Sequence, residues 1–195
     1  MNIAIIGSGL TGSLAAISLA KTGCRVDLYE RLSDDELVNR DRTYAITHSS
    51  RRILEKVGLW PYVVSELIPF QYLNVLDYEL NSKFQFHTDD LNKFDRKYLS
   101  VGWIAEHNKT MTKILKFISD IDNINKIPTS VIPNTNNYDF IVVADGSNSS
   151  TKKKLKTRSY KFNYDQICIT AKVLLRGVQS NEAYEILNKE GPLAV

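Results

Sequence analysis

The sequence has little cysteine, little histidine and no long apolar run, and each shortage removes a class of protein. Its two cysteines, Cys24 and Cys168, form no CxxC or metal-ligand spacing, which argues against a disulfide framework and fits a reducing cytoplasm. The three histidines, His48, His87 and His107, are dispersed, and a lone histidine is more often a surface or satisfied core residue than a ligand. No metal site is expected. The apolar stretch that starts at Met1 is interrupted by Asn2 and the early glycines, so it is neither a signal-type segment nor long enough to span a bilayer. The expectation is a cytoplasmic protein, at most resting peripherally on the inner face of a membrane. Charge of one sign is also lacking. With 25 basic and 22 acidic residues and a formal charge of +3, composition gives no case for a nucleic-acid partner. The one basic run, Lys152, Lys153, Lys154 and Lys156, reads as a solvated first helical turn or loop.

The 195 residues and 43% hydrophobic content suffice for one sizeable core or one and a half domains. The chain opens on Asn2-Ile3-Ala4-Ile5-Ile6, a short apolar run with β-branched residues, as expected of a strand buried on both faces of a parallel sheet. Gly7-Ser8-Gly9-Leu10-Thr11-Gly12 follows at once. Residues 10–21 are good or tolerable helix formers, and Gly23 sits where a C-terminal cap is needed. Arg25-Val26-Asp27-Leu28-Tyr29 then alternates like a second strand, with Glu30 at its end. This is a complete βαβ unit. In such a unit the first glycine makes the tight turn, the second lets backbone approach a pyrophosphate, and the third lets helix pack on strand. The helix N-terminal N–H groups face the phosphates. Glu30 lies where an acidic side chain accepts hydrogen bonds from an adenosine ribose and repels a 2′-phosphate.

The same fingerprint serves NAD and FAD, and three later segments separate them. Asp41-Arg42-Thr43-Tyr44-Ala45-Ile46-Thr47 follows an acidic, polar loop and precedes an amphipathic helix over residues 49–57. Ser49 and Ser50 are its candidate caps, and Ile53, Leu54 and Val57 its apolar face. Ala105-Glu106-His107-Asn108-Lys109 opens a second helix whose Met111, Ile114, Leu115 and Ile118 recur at helical spacing. Glu106 and Asn108 would serve equally as N-terminal caps. Residues 138–144 read as a buried strand running into Asp145-Gly146-Ser147-Asn148-Ser149-Ser150.

Residues 42–60 and the Asp145-Gly146 turn, taken with the opening fingerprint, resemble the ubiquinone-biosynthesis hydroxylases. These sit within the para-hydroxybenzoate hydroxylase-like class of flavoprotein monooxygenases. The resemblance implies FAD as the held cofactor and NAD(P)H as transient reductant. It places Arg42 near the flavin's phosphate-ribityl region, a role suited to a guanidinium fork. It places Asn108 or Glu106 at the ribityl or adenosine portion, and the Asp145-Gly146 turn near the pyrophosphate. The resulting cofactor-binding set is Gly7, Gly9, Leu10, Thr11, Gly12, Glu30, Arg31, Arg42, Asn108, Asp145 and Gly146. No catalytic residue is named, because the cofactor carries the chemistry.

The fold expected is α/β: a Rossmann-like FAD-binding domain with a parallel sheet, from residues 1–70 and 100–160, plus part of an antiparallel substrate-domain sheet from 71–99 and 161–195. Strands are expected over residues 72–79, 83–87 and 166–175, with Tyr72, Phe84, Phe86 and Trp103 as core or pocket lining. The activity implied is hydroxylation of an aromatic small molecule, a polyprenylated phenol on the way to ubiquinone, through a flavin C4a-hydroperoxide. Two departures stand out. The connection between Ile127 and Tyr138 is abbreviated, and the chain ends at Glu190-Gly191-Pro192-Leu193-Ala194-Val195, a segment like the family's mid-chain Gly-Pro-x-Ala. The expectation is therefore a truncated enzyme with low solubility or a partner chain that supplies the C-terminal half. The rival readings are a non-catalytic dinucleotide-binding remnant and a NAD-binding reductase.

Overall fold

Apolar runs bounded by glycine become paired strands in the computed structural model of this chain, which describes all residues except Asn148, Ser159, Lys161, Val178 and Ser180. The chain passes through β1 (Asn2–Ile6), α1 (Leu10–Ala20), β2 (Arg25–Glu30), α2 (Asp34–Val38), β3 (Thr43–Ile46), α3 (His48–Lys56) and α4 (Trp60–Val63). It continues through β4 (Leu67–Phe70), β5 (Tyr72–Asp77), β6 (Ser82–His87), α5 (Lys93–Arg96), β7 (Gly102–Glu106) and α6 (His107–Ser119). The remaining elements are β8 (Ile124–Pro128), β9 (Phe140–Val143), α7 (Ser150–Lys154), β10 (Glu182–Leu187) and β11 (Leu193–Ala194). Two compact units result, one from Met1–Arg42, Leu54–Ser65 and His107–Thr170, the other from Thr43–Ile53, Glu66–Glu106 and Ala171–Val195.

The first unit is built on a parallel sheet of order β8-β2-β1-β9. Ile3↔Val26 and Ile5↔Leu28 pair in register on one face, and all four side chains are buried. Each such side chain contributes on the order of 1.5–3 kcal/mol. Helix α1 buries Ile17 together with Gly12, Ser13, Ala16 and Ala20, the last four being small residues that let it lie close to the sheet. It ends where Gly23 takes φ +85° and donates to the Ala20 carbonyl at 2.9 Å, the expected terminating turn. Met111, Ile114, Leu115 and Ile118 of α6 are buried as their spacing predicts. The supposed acidic loop after Glu30 instead forms α2, because Ser33 and Glu36 close a capping box. Strand β9 is less buried than expected: it is the sheet's edge, Phe140 is exposed and Ile141 to Val143 are half-buried.

The second unit holds two sheets, of order β11-β10-β5-β6 and β3-β7-β4. The hairpin β5–β6 is antiparallel as its alternation predicts, while β10 runs parallel to β5 and makes the sheet mixed. Residues 166–175 form no strand: Ile167 and Ile169 are exposed and no neighbouring strand pairs with them among the described residues. Alternation alone does not make a strand without a ladder partner. Helix α3 is capped by Thr47 rather than by Ser49 or Ser50, since the Thr47 carbonyl accepts from Arg51 N at 2.9 Å and its Oγ1 accepts from Ser50 N at 3.5 Å. Of the three residues expected on the apolar face of α3, Leu54 and Val57 are buried and Ile53 is exposed.

A buried charge cluster occupies this unit's interior. Asp95 accepts from Arg51 Nη2 at 2.7 Å, from Arg52 Nη1 at 2.9 Å and from Asn92 Nδ2 at 2.8 Å. Arg51 also lies over the Tyr98 ring, 3.9 Å from its centroid. Burial pushes the Asp95 carboxyl up, but the hydrogen bonds from Asn92 and Arg52 and the neighbouring charges outweigh it and hold it below the usual range.

Candidate functional site

The glycine loop and the ends of three parallel strands meet at one end of the first unit's sheet. Gly7 N donates to the Tyr29 carbonyl at 2.8 Å, and Ala144 N donates to the Ile6 carbonyl at 2.8 Å. The turn after β1 is thereby held between the ends of β2 and β9. Gly7 has φ +100°, and a Cβ there would stand 2.5 Å from the Ala144 carbonyl oxygen and 2.8 Å from Asp145 Cα. The turn requires glycine on both counts. A Cβ on Gly12 would lie 1.8 Å from the Gly7 oxygen, whereas one on Gly9 would meet nothing within 4 Å. These are the three separate duties the spacing predicts: tight turn, open backbone and close helix packing.

Helix α1 begins with Leu10, Thr11 and Gly12, whose N–H groups precede the first possible intrahelical acceptor. Its first turn carries no acidic side chain, so the positive end of the helix dipole is left for an anion. Ser13 fastens the loop from behind, its N–H to the Gly9 carbonyl at 2.9 Å and its hydroxyl to the Ser8 carbonyl at 2.8 Å.

Glu30 reaches across this loop. Its Oε2 accepts from Ser8 N at 2.8 Å and Ser8 Oγ at 3.2 Å, and its Oε1 accepts from Arg31 N at 2.8 Å and Leu32 N at 3.0 Å. The Arg31 side chain is exposed, so its link to this group is through its backbone. Ser8 is wholly buried. Its small side chain between two glycines was the only sequence signal of this role.

Asp145 follows β9 beside Gly7. Its Oδ2 accepts from Thr151 N at 3.2 Å, while Oδ1 is buried with no hydrogen-bond partner. Burial raises the carboxyl's pKa, but hydrogen bonds from Ser149 and Thr151 prevail and hold it below the usual range. Gly146 takes φ +89°, a left-handed turn that suits glycine. Asn148 of this motif lies outside the described residues. Of the basic run, Lys152, Lys153 and Lys154 lie in α7 and all four lysines are exposed.

Arg42 and Asn108 form a second group. The Arg42 carbonyl accepts from His107 N at 2.9 Å, which sets the start of α6 against the chain just before β3. The Arg42 guanidinium is exposed. Asn108 is exposed in the first helical turn, its Oδ1 accepting from Lys109 N at 2.8 Å. Glu106 ends β7 and meets Lys172 Nζ at 3.3 Å. His107, unremarkable as a lone histidine, is buried and its Nε2 bonds the Leu37 carbonyl at 2.7 Å. Since a carbonyl only accepts, Nε2 carries the proton, and the ring ties the end of α2 to α6.

Of the aromatic residues read as core or pocket lining, Trp103 is buried core, 5.0 Å from the His48 ring centroid. Tyr72 stacks on His87 at 4.5 Å, and Phe84 and Phe86 are exposed on one face of β6. Two surface depressions, lined by Tyr78, Glu79, Asn188, Lys189 and Glu190 and by Asn2, Arg25, Asp27, Asn137 and Tyr138, contain none of the predicted site residues. The case for a ligand therefore rests on the glycine loop's backbone, the open space at Gly9, and the unpaired Asp145 oxygen.

Residues 5–34 match the family described as NAD(P)-binding Rossmann-like domain. The chain is 26% identical to kynurenine 3-monooxygenase of Saccharomyces cerevisiae over 85% of its own length and 40% of that protein. It is 22% identical to ubiquinone hydroxylase UbiM of Neisseria meningitidis over 94% of its length and 44% of that protein. Among solved structures, p-nitrophenol 4-monooxygenase PnpA of Pseudomonas putida superposes with a TM-score of 0.62 at 14% identity, covering 78% of this chain and 42% of that one. The chain thus spans less than half the length of these relatives. No helix among the described residues is long and apolar enough to cross a membrane.

Proposed function

We propose, on the premise that this chain is a relative of the N-terminal half of the FAD-dependent aromatic-ring hydroxylases, that it holds FAD for hydroxylation of an aromatic ring. The observation that carries the reading is the division of labour among the three glycines, with space left only at Gly9. Gly7, Gly9 and Gly12, with the N–H groups of Leu10 and Thr11, would hold the pyrophosphate. Glu30 would take the adenosine ribose, and Gly146 would border the phosphate side, while the unpaired Asp145 Oδ1 would accept from a hydroxyl of the cofactor rather than from its phosphates. Arg42 and Asn108 would reach the ribityl portion, a role supported by their joint placement at the start of α6. Arg31 would contribute its backbone through Glu30.

FAD supplies the redox and oxygen chemistry when bound, with NAD(P)H as its transient reductant. The residues of this chain named above would bind and orient it. We favour a polyprenylated phenol as substrate, supported by the similarity to the Neisseria ubiquinone hydroxylase across nearly the whole chain. The yeast kynurenine 3-monooxygenase likeness supports a second reading, an aromatic amine bearing an amino-acid side chain. Ring hydroxylation belongs to the whole protein, with the C-terminal half supplied by further chain or by a partner.

Fluorescence titration with FAD tests the binding claim. Saturable quenching that NADH does not reproduce is the expected result, and no flavin bound at millimolar FAD would overturn it. Flavin-dependent oxygen uptake stimulated by a prenylated phenol and not by kynurenine would support the favoured substrate class, and the reverse would select the second.

A further inference from the structure

Beyond the buried start of α7 the chain lies open to solvent. Ser149 and Thr151 are buried, and Ser149 Oγ accepts from Lys152 N at 3.0 Å, which fixes where the segment leaves the first unit. Every described residue from Lys152 to Thr170 is then exposed. Two chemistries follow in series. The first part carries Lys152, Lys153, Lys154, Lys156 and Arg158, and no ion pair among the described residues engages any of them. The second part carries Tyr160, Phe162, Tyr164, Ile167 and Ile169, each at least 74% exposed. Residues 146–170 hold six of the 25 basic residues and one of the 22 acidic ones, Asp165. This stretch therefore carries +5 and the remainder of the chain −2, against the formal total of +3.

We propose that residues 152–170 form a surface that docks on an anionic lipid bilayer, the cations against its headgroups and the apolar side chains in the boundary between headgroups and acyl chains. Folding leaves both parts unsatisfied, and a run of apolar side chains this exposed marks an interaction surface. An anionic bilayer meets both demands at once. Each lysine or arginine near it strengthens partitioning about fivefold, and aromatic and aliphatic side chains settle at the depth of the headgroups and just below. Nucleic acid would meet the cations and stack on the rings, but stacking needs a π-face, which Leu155, Ile167 and Ile169 do not have. A second copy of this chain would bring the same positive surface against itself. The proposal is independent of the FAD reading.

Co-sedimentation of the full chain with phosphatidylcholine vesicles, with and without phosphatidylserine, tests it. Wild type is expected to bind the phosphatidylserine vesicles, to ignore the neutral ones, and to be released as salt rises from about 0.1 M to about 0.5 M. The triple variant Lys152→Gln, Lys153→Gln, Lys154→Gln is expected to bind at least about tenfold more weakly. The double variant Phe162→Ser, Ile167→Ser keeps the charge and is expected to lose about threefold or more. All five positions are exposed, so both variants should keep the wild-type melting curve by circular dichroism. Absence of binding to phosphatidylserine vesicles, equal binding to neutral ones, or an unchanged lysine variant overturns the proposal. Tighter binding of single-stranded DNA than of vesicles overturns it in favour of a nucleic-acid surface. Self-association without vesicles that the Phe162 and Ile167 variant abolishes overturns it in favour of a contact between copies of the chain.

Discussion

Gly12 stands against Gly7 so closely that a Cβ on Gly12 would lie 1.8 Å from the Gly7 carbonyl oxygen. That contact joins the start of α1 to the turn after β1, and it aims the helix terminus at the space above Gly9.

Gly12→Ala forces backbone apart and is expected to cost about 3 kcal/mol or more, seen as a lowered thermal midpoint with loss of flavin binding. Gly9→Ala separates stability from ligand. Gly9 has φ −63° and an open surround, so its variant should melt within about 0.5 kcal/mol of wild type while binding FAD weakly. Equal effects on both properties at both positions would contradict the assignment of separate duties.

Asp145 gives a pH signature. Its folded-state pKa is depressed, so the carboxylate contributes stability above the unfolded value of about 3.9 and loses it as pH falls through the lowered folded value. Wild type should therefore melt above Asp145→Asn by a constant margin from neutral pH down to about pH 5. The margin should shrink below about pH 4. A margin that widens on acidification would show the carboxyl to be raised instead.

The Asp95 cluster separates a buried partner from an exposed one. Arg51 and Asp95 have side chains only 4% and 6% exposed, whereas Arg52 is 54% exposed. Asp95 is the acceptor that Arg51 and Arg52 share, so Asp95→Ala is expected to cost about 3–5 kcal/mol and to unfold early in urea, whereas Arg51→Ala leaves Asp95 its bonds from Arg52 and Asn92 and should cost less. Arg52→Ala is expected to cost under about 1 kcal/mol. The double variant of Arg51 and Asp95 should cost less than the sum of its parts.

Tyr138 reports on the opposite end of the same sheet from the glycine loop. Its hydroxyl donates to Asp27 Oδ2 at 2.5 Å and shares a 2.7 Å bond with the Tyr29 hydroxyl. Burial first, then these two bonds, push its ionisation well above the ordinary tyrosine range. Ultraviolet titration of the folded chain should show one tyrosine that resists ionisation until the protein unfolds, and Tyr138→Phe should abolish that delayed step. Because the folded value is raised, the network's stabilisation is complete below about pH 10 and is lost as pH climbs beyond it.

Local pattern made several elements of both units legible. Alternation and glycine spacing located β1, α1, β2 and the β5–β6 hairpin, and the periodicity of Met111, Ile114, Leu115 and Ile118 gave the buried face of α6. The Ser33-x-x-Glu36 signal of α2 was present and passed over, hidden in an acidic stretch that reads as loop. Residues 166–175 failed in the other direction: their alternation satisfies a strand template, yet a strand exists only when another backbone accepts its hydrogen bonds. The pairing of β7 with both β3 and β4 joins segments far apart in sequence, and no local rule announces it.

The sequence by itself determined the turn chemistry of the candidate site. Three glycines, a helix start and an acid after the second strand are demands that covalent geometry and short-range sterics make on neighbouring residues. Only the tertiary structure decided which groups meet there: that Asp145 abuts Gly7 with one oxygen unpaired, that four donors fill Glu30, and that Ser8 is one of them. It also decided that Arg51 is one half of a buried ion pair. Those outcomes depend on where strands end relative to one another and on what else each buried polar atom finds within reach. Both are properties of the packed chain rather than of any stretch of it.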